Sequence, residues 1–183
     1  MKIGIVRHFK VNYKAKSFMN YRDFEKYIVD CDEAEVIENV VDLGNVKWDK
    51  CFCSDISRAI NTAKAIYGDE IITSNLLREV NMYPIKKLKI KIPTFIWCIS
   101  SRVAWNKNKK SQLEGRATTE KRAKEFIKKL DFNSDENILI VSHGFFLLTL
   151  LKELRKLGFN NYVPKKIENG KLYVIERGNN NGV

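Results

Sequence analysis

Residues 2–8 read KIGIVRH, and residues 137–144 read NILIVSHG. Each is a short, mostly β-branched aliphatic run that reaches a histidine, which is typical of a strand buried inside a sheet. The chain has two histidines, His8 and His143, and each follows one of these runs. In open parallel α/β sheets, ligands bind beyond the carboxyl ends of the strands. We therefore expect the two histidines to meet at one edge of one sheet.

The remaining segments alternate between strand and helix patterns. Ser54 is placed to cap the start of a helix that ends at Gly68. The other predicted strands are residues 48–53, 71–73 and 171–176, and the other predicted helices are residues 21–31, 95–105, 119–130 and 145–157. This order predicts an α/β fold, a three-layer sandwich with a mostly parallel central sheet and helices on both faces.

Length and composition fit one globular domain. The chain has 183 residues, of which 44% are apolar and 30% are charged. We expect a single domain over residues 1–177 and a disordered Asn/Gly-rich tail over residues 178–183. There is no signal-peptide pattern, and the longest apolar stretch, residues 145–151, is too short to cross a bilayer. These features predict a cytoplasmic protein with no membrane partner.

The four cysteines are scattered and match neither a disulfide framework nor a zinc site. As strand residues, Cys51 and Cys53 would share one face of the sheet. We expect them to be buried thiols, and we expect no metal site.

Positive charge is concentrated in one stretch. The net charge is +11, and residues 81–117 hold nine basic residues against the single acid Glu114. Such a region raises the local concentration of anions. The same footprint, with interleaved aromatic residues, keeps open the alternative of a nucleic-acid-binding protein, although that reading leaves the positions of the histidines unexplained.

Two arginines lie at the same predicted sheet edge. Arg7 precedes His8, and Arg58 lies one turn into the helix that follows residues 48–53. A guanidinium group stays charged and can hold a phosphate by two parallel hydrogen bonds, and a helix N-terminus adds free N–H groups.

Four blocks of the sequence resemble the histidine phosphatase superfamily, the phosphoglycerate-mutase-like enzymes. They are IVRHFK at 5–10, CSDISRAINTAKAI at 53–66, LREV at 77–80 and VSHGFFL at 141–147. They occur in the family's order with compatible spacing, and the resemblance covers about residues 1–176.

The resemblance implies a role for each matching residue. His8 would be the nucleophile that becomes phosphohistidine, and Glu79 would protonate the leaving oxygen and then assist water. Arg7, Arg58 and His143 would surround the phosphoryl oxygens. Phosphoryl transfer needs positioning and cations around those oxygens, and these groups supply them without a metal or a cofactor.

The sequence departs from the family after the first histidine, where Phe9 replaces the usual glycine. A bulky ring there predicts a reshaped pocket, and Asn12 would replace the usual polar contact of this loop. Residues 81–117 occupy the place of the elements that cap the pocket in the family. Within this basic capping segment, Arg102 and Trp105 join Phe9 as candidates for the substrate side of the pocket.

The function that the resemblance implies is a metal-independent phosphatase that hydrolyses a small, strongly anionic phosphomonoester. A phosphoglycerate-type mutase stays an alternative, although the chain is short and its C-terminal stub offers no long tail. A family member that binds phosphorylated ligands without catalysis also stays open because of Phe9. We expect a small phosphorylated partner and no nucleic acid.

Overall fold

Alternating strands and helices form the chain in the computed structural model, which describes residues 1–160 and 166–178. The strands are β1 (Lys2–Arg7), β2 (Lys10–Val11), β3 (Phe18–Met19), β4 (Val36–Ile37), β5 (Lys50–Ser54), β6 (Ile71–Ser74), β7 (Ile92–Pro93), β8 (Ile138–Ser142), β9 (Phe159–Asn160) and β10 (Leu172–Arg177). The helices are α1 (Tyr21–Glu33), α2 (Ser57–Tyr67), α3 (Thr94–Asn106), α4 (Arg116–Ile127) and α5 (Gly144–Lys156), with a 3₁₀ turn at Asn75–Leu77. Residues 179–183 of the predicted tail lie outside the described residues.

The central sheet has the strand order β6-β5-β8-β1-β10-β9. The first four strands are parallel to one another, whereas β10 and β9 continue the sheet in antiparallel fashion. The predicted α/β fold with a mostly parallel sheet is therefore confirmed. The two-residue strands form two small additional sheets, β2 with β4 and β3 with β7.

Side chains of the central strands alternate between two cores, as the period of a strand requires. In β8, Ile138 and Ile140 join a cluster that includes Phe126 of α4 and Phe146 of α5. Leu139 and Val141 point to the other face, where Ala59 and Ala63 of α2, together with the free thiols Cys51 and Cys53, complete a second cluster. Helices thus cover both faces of the sheet.

The start of α2 corrects the prediction for Ser54. Ser54 is the last residue of β5, where it pairs with Ser74 of β6. Its Oγ accepts a hydrogen bond from the N–H of Ile56 at 3.3 Å, and Ile56 is the residue that precedes the helix. Pairing with β6 keeps the chain extended through Ser54, so the helix starts later. Gly68 ends α2 in a left-handed conformation, as predicted.

A third, smaller cluster attaches α3 to the rest of the molecule. Trp97 of α3 stacks on Phe24 of α1 with ring centroids 5.6 Å apart, and its Nε1–H donates to the Met19 carbonyl oxygen at 2.8 Å. The basic segment 81–117 is anchored to α1 through this cluster. Among the described helices, none is long and apolar enough to span a membrane.

Close packing between β1 and Trp48 yields a test of the fold. A Cβ atom at Gly4 would lie 2.6 Å from the Trp48 ring, whose Nε1–H is held by the Leu43 carbonyl oxygen. Gly4→Ala should lower the free energy of unfolding by about 1–3 kcal/mol, because the ring must shift within a packed core. Urea denaturation measures the change. Gly178→Ala is the matched control, since its nearest neighbour would be 3.8 Å away. Equal stabilities of the two variants would contradict the assigned packing.

Candidate active site

Parallel pairing of β1 with β8 brings the two histidines together. The register pairs Arg7 with Ser142, and the N–H of His8 donates to the Ser142 carbonyl oxygen at 2.9 Å. His8 and His143 therefore leave the sheet at the same level. Their ring centroids lie 5.0 Å apart, and both side chains are buried.

Two hydrogen bonds define the state of the His8 ring. Its Nδ1 lies 2.6 Å from the Phe9 carbonyl oxygen, which can only accept, so Nδ1 carries the proton. On the opposite side, Nε2 accepts a hydrogen bond from Nε of Arg58 at 3.2 Å. Burial, and after it the charge of Arg58, lowers the pKa of His8 to about 3. At neutral pH, His8 is therefore a neutral imidazole with its lone pair on Nε2.

Arg58 is buried in the first turn of α2 and is held from both sides. Its Nη1 donates to Oδ1 of Asp32 at 2.7 Å, which provides a counter-charge from α1. The hydroxyl group of Thr62 donates a hydrogen bond to the carbonyl oxygen of Arg58. The same hydroxyl oxygen, Oγ1 of Thr62, accepts a hydrogen bond from the N–H of Phe9 at 2.9 Å. The end of β1 and the start of α2 are thereby joined beside His8.

Arg7 and His143 carry nitrogen atoms that have no partner. Among buried side-chain nitrogen and oxygen atoms of the described residues, those without a hydrogen bond are Nε of Arg7 and both ring nitrogens of His143. Burial lowers the pKa of His143 well below 6.5, and burial also lowers the pKa of Arg7. An unsatisfied buried polar group costs about 1–3 kcal/mol. The buried nitrogens without a partner belong to Arg7 and His143, which lie side by side at this edge of the sheet. The oxygens of a bound anion could accept hydrogen bonds from them.

Gly144 makes this arrangement sterically feasible. A Cβ atom at position 144 would lie 2.9 Å from Nε and 3.0 Å from Cζ of Arg7. The glycine lets the guanidinium group pass against the first turn of α5.

Glu79 lies at the N-terminus of α5. Its carboxylate accepts hydrogen bonds from the N–H groups of Phe145 at 3.2 Å and Phe146 at 3.0 Å, and from the N–H of Val80 at 2.8 Å. Its charge also acts on Arg7 and Arg102, and raises the pKa of each against the effect of burial. The carboxylate is thus placed between the cations of the site and a helix N-terminus.

These groups surround a cavity of about 220 Å³. Its lining residues come from β1, β2, α1, α2, the segment after the 3₁₀ turn and α3: Arg7, His8, Val11, Tyr27, Ile28, Cys31, Asp32, Arg58, Glu79, Val80, Asn81, Met82 and Arg102. Arg102 reaches it from α3, with Nη1 bonded to the Val80 carbonyl oxygen at 2.7 Å and the guanidinium group 3.8 Å from the centre of the Phe145 ring. The cavity therefore has three arginines in its wall.

Three candidates lie elsewhere. Asn12 is exposed and its neighbour Val11 lines the cavity instead, because Lys10–Val11 pairs with β4. The ring of Phe9 is 1% exposed and packs against Gly170, where a Cβ atom would lie 3.0 Å away, so the replacement of glycine by Phe9 is absorbed in the core. Trp105 packs edge-on against Phe145, and its Nε1–H donates a hydrogen bond to Oγ1 of Thr119. It does not line the cavity, whereas Arg102, which contacts the same Phe145 ring, does.

Sequence reasoning missed several residues of the site. Asp32 holds Arg58, and Tyr27 and Cys31 line the cavity, but nothing in the helix pattern near residues 21–31 marks these three as site residues. Asn169 was also missed: its Nδ2 donates to the His8 carbonyl oxygen at 2.7 Å. No local signal marks Asn169, because its contact joins residues far apart in the sequence.

Comparison with protein families decides the classification. The family model of the histidine phosphatase superfamily (branch 1) matches residues 34–183. The chain belongs to the histidine phosphatase superfamily. The resemblance to this superfamily is thereby confirmed. The matched segment includes the second, third and fourth sequence blocks, with Arg58, Glu79 and His143, and begins after the first block, which holds His8. No curated protein sequence matches the chain.

Solved structures of the same superfamily fold are similar along most of the chain. The α-ribazole phosphatase of Shigella flexneri is 20% identical, with 96% of this chain and 90% of that chain covered and a TM-score of 0.57. A mycobacterial glucosyl-3-phosphoglycerate phosphatase in complex with VO3 is 17% identical, with 94% and 91% covered and a TM-score of 0.57. The phosphoserine phosphatase of Entamoeba histolytica is 16% identical, with 85% and 80% covered and a TM-score of 0.51. At these identities the similarities show a shared fold.

The state of the His8 ring in this superfamily member is directly testable. Because its folded pKa is lowered, His8 should stay neutral at pH 5, with the proton on Nδ1, whereas an exposed histidine is charged there. Nitrogen–proton correlation spectra of the ring measure both properties. His143→Gln assigns the signals, since it leaves His8 as the one histidine in the chain. A His8 titration with a midpoint near pH 6.5 would contradict the described environment.

Proposed function

We propose that the chain is a phosphatase that hydrolyses a small anionic phosphomonoester through a phosphohistidine at His8. The proposal rests on one juxtaposition. The lone pair of the neutral His8 ring lies on Nε2 at the cavity wall, while the unpartnered nitrogens of Arg7 and His143 lie in the same cluster. A nucleophile beside donors that lack acceptors is the arrangement that phosphoryl transfer requires.

In the first step, the phosphoryl oxygens would bind Arg7, Arg58 and His143. Nε of Arg58 now donates to Nε2 of His8, and it would turn to a phosphoryl oxygen and release the lone pair. Nε2 would then form a bond to phosphorus as the bond from phosphorus to the leaving oxygen breaks. The hydrogen bond from Nδ1–H to the Phe9 carbonyl oxygen supports this step, because it holds the ring and stabilises the positive charge that develops on it.

Glu79 would act as the acid and then as the base. Glu79 would first take up the proton that a monoanionic phosphomonoester brings into the site, and would donate it to the departing oxygen. The carboxylate formed in this way would then take a proton from the water that attacks phosphorus, so that the phosphorus–nitrogen bond breaks and phosphate leaves. Its position in the cavity wall, which it shares with His8, supports this role.

The arginines would supply the electrophilic stabilisation, so we propose that the reaction needs neither a metal nor a cofactor. Guanidinium groups remain charged even when burial lowers their pKa, as it does for Arg7 and Arg102. Arg7 and Arg58, together with His143, can stabilise the charge on the equatorial oxygens of the phosphoryl group, while Arg102 adds positive charge to the cavity wall.

The cavity supports a small substrate with negative charge beyond its phosphate. A volume of about 220 Å³ limits the size, and Arg102 lies in the wall contributed by the basic segment 81–117. We propose that this segment caps a single domain of residues 1–177. The similar structures are named as phosphatases, which supports hydrolysis over transfer of the phosphoryl group to a second hydroxyl.

An assay with an aryl phosphate in the presence of a chelator tests the proposal. The wild-type chain should turn over, and His8→Ala should lower kcat by at least roughly a thousandfold, because the nucleophile is lost. The exposed Lys14 provides the control: Lys14→Ala should keep the full rate. Equal rates for wild type and His8→Ala, or strict dependence on an added metal, would overturn the proposed mechanism.

The same assay distinguishes the role of Glu79 as proton donor from the role of His8 as nucleophile. Glu79→Gln should lower kcat/KM, which reports the formation of the phosphoenzyme, by roughly 10²–10⁴-fold with an alkyl phosphate, whose leaving oxygen needs a proton, and far less with an activated aryl phosphate. A loss that is equal for both substrates would show that Glu79 is not the proton donor. For the mutase alternative, 3-phosphoglycerate with a catalytic amount of 2,3-bisphosphoglycerate should yield little 2-phosphoglycerate.

A further inference from the structure

Helix α3 has one buried face and one exposed apolar face. Trp97, Ser101 and Ala104 are buried against the molecule, and Arg102 lines the cavity. The opposite face presents aliphatic and aromatic side chains to solvent over about two and a half turns: Phe95 (63% exposed), Ile96 (41%), Ile99 (59%) and Val103 (48%). A contiguous row of large apolar side chains on a surface helix indicates a contact with another apolar phase.

The apolar surface continues beyond the helix. A groove of about 520 Å³ runs along Val103 and Ile85, with Ser100 and Ser111 also in its wall. At the other end of α3, exposed Phe18 of β3 lies opposite Pro93 of β7, two residues before Phe95. We call this surface, defined by Phe18, Ile85, Phe95, Ile96, Ile99 and Val103, the α3 face.

Seven lysines lie in the segments that carry the α3 face, and for one of them, Lys91, the acid Asp23 of α1 is within electrostatic reach. Lys107, Lys109 and Lys110 line the groove, and residues 81–113 contain no Asp or Glu. Lys86 and Lys87 follow Ile85, while Lys89 and Lys91 flank Ile90, which is 67% exposed. All seven lysines are exposed, and within the part of the chain that the structure describes none forms an ion pair.

We propose that the α3 face docks on the surface of an anionic lipid bilayer. The apolar side chains would enter the boundary between headgroups and acyl chains, while the lysine stems extend and leave their ammonium groups among the anionic headgroups. Clustered lysines beside an apolar helix face are typical of proteins that bind such surfaces. Each lysine is attracted to the anionic lipids, and the apolar side chains are removed from water when they enter the bilayer.

Charge argues against the other occupants. A second copy on this face would bring two sets of seven lysines together. An acidic protein is less well matched, because lysine is depleted at protein interfaces and arginine is the better partner for carboxylates; here Arg102 turns inward and Arg116 pairs with Glu120. Single-stranded nucleic acid is bound by stacking of its bases on exposed rings, whereas four of the six side chains that define the α3 face are aliphatic and Trp97 is 1% exposed.

Docking on a bilayer differs from the expectation that the chain has no membrane partner. That expectation was based on the lack of a segment long enough to cross a bilayer. Docking through α3 needs no such segment. Because α3 also contributes Arg102 to the cavity wall, the bilayer would lie next to the cap of the candidate active site.

Vesicle co-sedimentation of the full chain tests the proposal. We expect binding to phosphatidylcholine vesicles that contain about 30% phosphatidylserine, at least roughly tenfold weaker binding to phosphatidylcholine alone, and loss of binding as salt rises above about 0.1 M. The combined change Lys107→Gln, Lys109→Gln and Lys110→Gln should lower the partition coefficient by about tenfold or more. Phe95→Ser with Ile99→Ser should lower it as well.

The matched control is Lys64→Gln, Lys128→Gln and Lys129→Gln, which removes the same charge from exposed positions outside the α3 face and should leave binding unchanged. Circular dichroism and aryl phosphate turnover of every variant should equal those of the wild type, since the substituted side chains lie outside the cavity. The proposal is overturned by equal binding of the two lysine variants, by no binding to either vesicle, or by unchanged binding of the Phe95 and Ile99 variant. A dimer that dissociates on Phe95→Ser, or retention of RNA in place of vesicles, would also overturn it.

Discussion

In-register pairing of β1 with β8 is the constraint on which the rest of the site depends. The last ladder pair joins Arg7 to Ser142, so the next residue of each strand, His8 or His143, leaves the sheet at the same height. A slip of one residue would send every side chain of the strand to the opposite face, so the buried pattern on both faces fixes this register. Asn169 and Gly170 then hold the backbone of His8 and Arg7 from the other side.

Burial of nitrogen groups around that edge sets the chemistry. His8, His143, Arg7 and Arg102 all have pKa values lowered by burial, so the histidines are neutral while the arginines keep their charge. Two acids compensate part of this positive charge: Asp32 holds Arg58, and the charge of Glu79 acts on Arg7 and Arg102. Buried polar atoms without a hydrogen bond lower the stability of a fold, and they are tolerated where function requires them. The unpartnered nitrogens of Arg7 and His143 are such atoms. The surrounding cores on both faces of the sheet supply the stability that this arrangement needs.

Features with a local signal were predictable from the sequence. The aliphatic runs before His8 and His143 predicted two strands of one parallel sheet, and the helix patterns located α1 to α5 to within a few residues. The prediction that Ser54 caps α2 was wrong, because a serine that suits a helix cap also suits the last position of a strand. The pairing of Ser54 with Ser74 keeps it in β5. Gly170 explains why the sequence suggested a substrate-side position for Phe9, which lies in the core: the space for its ring comes from a residue 161 positions away, which no pattern near Phe9 reveals.

Distance in sequence also limited the description of α3. Its helical pattern was visible, but the pattern alone does not say which apolar face is covered. Trp97 and Phe95 are equally apolar in the sequence, and contact with Phe24 buries only the first. The same holds for Asp32, whose role beside Arg58 depends on the packing of α1 against α2.

The central claim, that Nε2 of His8 receives the phosphoryl group, is tested most directly by isolating the phosphorylated protein. Glu79→Gln should be mixed with an activated aryl phosphate, denatured in alkali and digested, and the peptides measured by mass spectrometry. The account predicts one phosphoryl group on the peptide that holds His8, stable in alkali and lost in acid, as a phosphorus–nitrogen bond requires. Continued turnover with no phosphoryl group on His8, or with the group on another residue, would contradict it.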